Sequence, residues 1–237
     1  ALEQAPLLNL VLVRTGPSNH HLIYTHHHIL MDGWSGSQLF GEVLQHYAGE
    51  PLRPALGRYR DYIGWLQGQD KVASEGFWKT QLAALQEPTR LARGASTGLD
   101  GLPMANGEHT LNFEPSQTQR LKAFAQGHKV TLNTLVQSAW LLLLARQTGQ
   151  ATVAFGATVA GRPAQLQGIE QLVGLFINTL PVVATPDPQM SIGQWLQQIQ
   201  AQNLRLREQE HTPLFDVQRW AGLGGEALFD SILVFEN

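Results

Sequence analysis

The sequence predicts an α/β chain folded as two lobes, and three observations carry that reading. Short runs of β-branched and apolar residues alternate with segments of helical period along most of the chain. Between Gln86 and Gly107 the periodicity stops, and Pro88, Gly94, Gly98, Gly101, Pro103 and Gly107 crowd together as in a connector. The chain has 237 residues, 43% apolar and 15% charged, which is enough to bury a sizeable core.

The elements follow in order. Leu7–Val13 and His21–Ile29 read as two strands joined through the turn cluster Thr15-Gly16-Pro17-Ser18-Asn19. After Asp32-Gly33 the period changes, and Leu39, Phe40, Val43, Leu44 and Tyr47 mark a helix, with Ser35 or Ser37 as N-cap and Gly49 as stop. Tyr59–Leu66 and Glu75–Leu85 read as further amphipathic helices. Beyond the connector, a strand is expected at Glu108–Phe113 and a helix entered at Pro115-Ser116. Leu132–Gln147 is apolar on nearly every face and should be buried. Thr152–Ala160 reads as a core strand, and Phe176–Ala184 as a strand that Pro181 confines to an edge or a bulge. Ser191 caps a long helix to Arg207, and Leu228–Phe235 is a last strand.

Composition excludes several functions. Sixteen Lys and Arg against nineteen Asp and Glu give a net charge of −3, no electrostatic footprint for nucleic acid. The longest apolar run, Ala139–Ala145, is too short to span a bilayer. Without cysteine there are no disulfides, thiolate metal sites or cysteine nucleophiles. The chain opens at Ala1 without a leader pattern and reads as an excerpt of something longer.

Chemistry concentrates in Thr25-His26-His27-His28-Ile29-Leu30-Met31-Asp32-Gly33-Trp34-Ser35, a His-His-x-x-x-Asp-Gly pattern between a strand and a helix start. A helix start offers N–H groups and partial positive charge where an oxyanion develops. Five histidines lie between His20 and His28, but consecutive strand residues diverge, which leaves too few convergent ligands for zinc. No metal is expected.

This motif resembles the core motif of the condensation domains of non-ribosomal peptide synthetases, within the chloramphenicol-acetyltransferase-like superfamily. Other blocks are similar in the same order: Tyr59-Arg60-Asp61-Tyr62-Ile63-Gly64-Trp65, Gly161-Arg162-Pro163, Val173–Leu180, His211–Asp216, and Phe229-Asp230-Ser231 with Val234–Asn237. The resemblance implies a two-lobed chloramphenicol-acetyltransferase-like fold. It assigns residues 1–85 to the end of the N-terminal, acceptor-side lobe, 86–107 to a linker and 108–237 to most of the C-terminal lobe. Two departures stand out. The family's N-terminal stretch with its Arg-rich block is missing, and Val183 stands where the family often has an arginine.

The implied reaction is amide-bond formation between a carrier-bound donor thioester and the α-amine of a carrier-bound acceptor, of the subtype joining an L-donor to an L-acceptor. The implied partners are upstream and downstream carrier domains and an adjacent adenylation domain, with no nucleic acid and no membrane. The phosphopantetheine arms belong to the carriers, so no cofactor of the chain's own is expected, and the location is cytoplasmic. The alternatives are a coenzyme A-dependent acyltransferase of the same superfamily and a non-catalytic docking domain.

His28 maps onto the family's catalytic position. A free α-amine titrates near ~8, so its unprotonated form is accessible at neutral pH. The larger need arises after attack, when the charged nitrogen must lose a proton, and an imidazole suits that step. His28 either takes this proton or only positions the amine. His27 should point to the opposite strand face and serve as a hydrogen-bonded structural residue, and His26 is also left structural. Asp32 is a candidate second general base in the catalytic set with His28 and Gly33; the resemblance gives it instead a buried ion pair holding the loop, with its arginine partner expected in the missing N-terminal stretch. Gly33 supplies either a backbone N–H to the oxyanion or merely the turn. Trp34 and Ser35 are expected to line the substrate tunnel, Trp34 alternatively joining the core. Asn178 either hydrogen-bonds substrate or forms a strand-end turn.

Overall fold

Buried apolar stripes set the architecture. The computed structural model describes residues 2–52, 54, 56–91 and 107–236. Its strands are β1 (Leu8–Arg14), β2 (His20–His26), β3 (Val153–Val159), β4 (Asn178–Ala184) and β5 (Ile232–Leu233). Its helices are α1 (Gly33–Tyr47), α2 (Tyr59–Gln67), α3 (Lys71–Leu82), α4 (Pro115–Gly127), α5 (Leu132–Thr148), α6 (Ile192–Arg207) and α7 (Leu214–Trp220). Strands and helices interleave, as the α/β reading requires.

The chain divides into two compact units: Ala1–Gln69 with Ala160–Ile177, and Asp70–Val159 with Asn178–Asn237. These units depart from the division at residues 85 and 108 in two places. Helix α3 starts at Lys71, capped by the Asp70 carboxylate, and buries Trp78 and Leu82 in the core of the second unit. Ala160–Ile177 packs in the first unit. Of the expected linker, Gln86–Leu91 is built into the second unit. Thr89 is fully buried, donates its N–H to Leu228 O (2.9 Å) and accepts from Ala154 N–H at its hydroxyl (2.8 Å). Residues 92–106 lie outside the described residues.

In the first unit, β1 and β2 form an antiparallel hairpin with Leu8 opposite His26 and Arg14 opposite His20. Both of its faces are open, with Leu10, Leu12, Leu22 and Ile23 exposed. Helix α1 takes its N-cap from Asp32, not Ser35 or Ser37: the carboxylate accepts Ser35 N–H at 2.8 Å. Helix α2 lays Tyr59, Tyr62 and Trp65 against Ile169, Leu172 and Phe176.

In the second unit, β3 is central, antiparallel to β4 and parallel to β5. Pro181 on β4 pairs opposite Gly156; β4 is an edge strand among the described residues, and the missing N–H leaves no gap in the ladder there. Helices α5 and α6 pack together, and the Trp195 Nε1–H on α6 donates to Ser138 O on α5 at 3.3 Å. Helix α5 buries only the stripe Thr134, Gln137, Ser138, Leu141 and Leu144, and leaves Val136, Leu142 and Leu143 exposed. An all-round apolar helix is therefore half covered here. Glu108–Phe113 forms no strand among the described residues, with Leu111 and Phe113 exposed. The last strand shrinks to Ile232–Leu233, because Leu228 and Phe229 turn into the core beside Thr89.

Leu141 and Leu142 are neighbours of opposite fate, at 0% and 39% exposure. Leu141→Ala is expected to lower stability by about 2–5 kcal/mol and Leu142→Ala by about 1 kcal/mol or less, read from urea unfolding of the two variants side by side.

Candidate active site

Strand β2 ends at His26, so the two following histidines are placed by a turn and not by strand alternation. His27 N–H donates to Leu7 O at 2.9 Å, closing the hairpin end. Its extended backbone caps a 3-10 turn, His28–Leu30, and its Nδ1 accepts Ile29 N–H at 3.1 Å. That contact requires an unprotonated Nδ1 and spends the ring on the turn. His28 opens the turn with its ring exposed and, among the described residues, without a side-chain hydrogen bond. His26 is half-buried and lies against the Tyr24 ring, centroids 4.8 Å apart. The expected opposition of His27 and His28 across a strand is thus replaced by a cap and the residue it caps.

Asp32 closes the turn, and an ion-pair partner for it lies within this chain, downstream of the motif. It is Arg162, whose Nη2 lies 3.3 Å from Oδ1, with the two side chains 6% and 1% exposed. Oδ1 also accepts Ser35 N–H, and Oδ2 accepts Phe176 N–H at 3.0 Å. Burial works to raise the Asp32 carboxyl. The Ser35 N–H, the Phe176 N–H and the Arg162 charge are among the groups that outweigh it and hold the carboxyl below its usual range. Burial pulls the Arg162 guanidinium down, and Asp32 opposes that shift. The guanidinium also donates to Ile169 O and Leu172 O and lies 3.9 Å from the centre of the Phe176 ring. A carboxylate so engaged is a poor proton acceptor.

Gly33 is exposed at the first position of α1, has no left-handed φ, and a Cβ there would meet nothing within 4 Å. Neither a tight turn nor crowding within the fold demands glycine. What it leaves is an open N-terminal backbone, where helix N–H groups have no intrahelical acceptor. Trp34 is 54% exposed and outside the core, with its indole N–H held by Glu170 O at 2.8 Å. Ser35 departs from its expected place on a tunnel wall. It is fully buried, and its hydroxyl is saturated by neighbours within the fold. Asn178 belongs to the second unit, where its amide donates to Glu210 O (2.9 Å) and Thr212 O (2.7 Å), and its Oδ1 accepts Thr179 N–H. These bonds bracket His211, whose Nε2 lies 3.3 Å from Ser74 Oγ and whose pKa burial pushes down.

Sequence reasoning passed over Arg162, Gly174 and Phe176 as parts of the site. An arginine between Gly161 and Pro163 is the signal that was there to read. Gly161 has φ +61°, and a Cβ on it would strike Phe176 O, so the backbone here is bent to aim Arg162 inward. Among the described residues, no group of three His, Asp or Glu side chains converges to hold a metal ion. No described helix is long and apolar enough to cross a membrane.

The family model for the condensation domain matches residues 1–237, and the chain belongs to that family. It is 41% identical over 246 residues to one of the linear gramicidin synthase proteins of Brevibacillus parabrevis, covering all of this chain and 3% of that protein. It is 42% identical over 244 residues to chondramide synthase cmdD of Chondromyces crocatus, covering all of this chain and 6% of that one. The first condensation domain of the calcium-dependent antibiotic synthetase shares the fold, with TM-score 0.71 at 19% identity, over 96% of this chain and 51% of that one. The X-domain from teicoplanin biosynthesis does too, with TM-score 0.76 at 20% identity, over 97% and 54%. The chain thus spans a few per cent of these synthases and about half of the solved domains.

Asp32→Asn strands the buried Arg162 charge and is expected to cost about 3–5 kcal/mol. Ionised Asp32 contributes stability fully above about pH 4, the reference for an unfolded aspartate, and loses it as pH falls through the lower folded value. Urea unfolding should therefore show a wild-type advantage over Asp32→Asn that is constant between about pH 7 and pH 5 and shrinks below about pH 4.

Proposed function

We propose that this chain is the part of a condensation domain that carries the reacting histidine, and that the whole domain joins a carrier-bound donor thioester to the α-amine of a carrier-bound acceptor, both L-configured. The observation that supports it is the exposed His28 on a turn held at both ends, in a chain that matches the family along its whole length. The acceptor nitrogen attacks the thioester carbonyl and a C–N bond forms. His28 takes the proton that nitrogen must shed, the C–S bond breaks, and the proton passes to the departing thiolate. The open N–H of Gly33 faces the oxygen on which negative charge collects. His27 caps the turn, Asp32 closes it, and Trp34 presents its exposed indole face to substrate.

The partners in this reading are the upstream and downstream carriers, which supply the phosphopantetheine arms, and a neighbouring adenylation domain, all in the cytoplasm. Residues 1–85 form the end of the N-terminal lobe, 86–107 the connection and 108–237 most of the C-terminal lobe, with Lys71–Leu82 packed in the second compact unit and Ala160–Ile177 in the first. A two-stranded hairpin open on both faces is marginal in water, and its exposed leucines call for a cover. The remainder of the domain is that cover.

In the complete domain given two loaded carriers, His28→Ala is expected to lower dipeptidyl-carrier formation by about 10²–10⁴-fold, followed by mass spectrometry. His28→Gln keeps a hydrogen-bonding group and should fall nearly as far. Near-normal rates for both would reject the proton-transfer role. The excised 237 residues should form no amide and should bind an apolar dye strongly, while the complete domain forms the product and binds the dye weakly.

A further inference from the structure

We propose that Ser35 is a positioning residue for amide formation, which with Gly174 makes the anchor holding the far end of the turn that carries His28. The proposal rests on the role of His28 given above. The near end of that turn is tied by His27 N–H to Leu7 O at 2.9 Å. Its middle is tied by the Met31 N–H to His28 O bond and by the Tyr24 hydroxyl, 3.3 Å from the Met31 sulfur. Among the described residues, the main chain of its far end has one tie outside the motif, Asp32 N–H to Gly174 O at 3.1 Å.

Gly174 is fixed in turn by Ser35. The Ser35 hydroxyl donates to Gly174 O at 2.8 Å and accepts Gly174 N–H at 3.1 Å and Arg162 Nη2 at 2.9 Å. One donor and two acceptor positions exhaust a hydroxyl, and Ser35 is fully buried, so no capacity is left for substrate. On its other side Gly174 abuts Tyr59: a Cβ there would stand 2.1 Å from the ring. That ring cannot swing away cheaply, because its hydroxyl donates to Leu175 O at 2.7 Å and its edge packs on Phe176. Gly174 is thus clamped between a hydroxyl and an aromatic wall, and Asp32 hangs from it. Removing the Ser35 oxygen leaves the buried Gly174 N–H and an Arg162 N–H without this acceptor and loosens the main-chain tie at the turn's far end, so that Asp32 is held by its carboxylate alone and the turn can shift. A drift on the order of 1 Å is enough to cost about 100-fold when the moved group must meet a reacting atom.

The test uses the complete domain with loaded carriers, compared as wild type, Ser35→Ala, Ser35→Thr and His28→Ala. Ser35→Ala should lower kcat by about 10–100-fold while KM for the acceptor carrier moves less than about twofold. Ser35→Thr, which keeps the hydroxyl, should recover most of the loss. Hydrogen exchange of the same proteins should show Asp32 and Gly174 amides exchanging about tenfold faster or more in Ser35→Ala, with Val153–Val159 unchanged. An unchanged kcat in folded Ser35→Ala, a rise in KM alone, or unaltered exchange at Asp32 and Gly174 would each overturn the proposal. A wild-type domain that forms no amide, or a fully active His28→Ala, would sink the functional reading and this role with it. The exchange data would still report whether the anchor holds the turn, which separates the two failures.

Discussion

The ion pair between Asp32 and Arg162 is the constraint around which the first unit is arranged. Two opposite charges almost wholly removed from water are tolerable only when every remaining donor and acceptor is met. Groups from distant segments bond both carboxylate oxygens and both terminal guanidinium nitrogens. The start of α1 gives the Ser35 N–H and hydroxyl, Phe176 gives its N–H and its ring face, and Ile169 and Leu172 give carbonyl oxygens. Loss of any of these exposes a charge to an environment that cannot solvate it. The His motif, Gly161-Arg162-Pro163 and the Val173–Leu180 block therefore constrain one another, although about 130 residues of chain separate them.

The same arrangement divides the work among adjacent polar groups. Asp32 caps a helix, receives the Phe176 N–H and neutralises an arginine, which leaves it no part as a base. His27 spends its Nδ1 on Ile29, whereas His28, one residue on, is free of such duty and faces outward. Two neighbouring imidazoles differ because a 3-10 turn begins between them. The Tyr59 block, which supplies no chemistry, acts through shape: its aromatic face backs Phe176, and Phe176 backs Arg162.

In the second unit Asn178 plays a comparable structural part. Its amide grips the carbonyls on either side of His211 and so ties β4 to the segment entering α7. The residue sits in a strand-end setting, and its hydrogen-bonding capacity is largely spent within its own unit.

The sequence by itself determined the alternation of strands and helices, the hairpin, the restriction of Pro181 to an edge or a bulge, the cap at Ser191 and the segment that carries His28. Each depends on residues near one another in the chain, where period, turn residues and cap chemistry act directly. Helix α7 escaped because seven residues hold too little period to register. The strand expected at Glu108–Phe113 failed because pairing needs a neighbour and not only β-formers. Only the tertiary structure decided that Arg162 answers Asp32, that Ser35 is locked inside while Trp34 stands out, and that Thr89 belongs to a core. Those outcomes turn on which side chains meet after distant segments fold together, and a buried charge selects its partner through space, not along the chain.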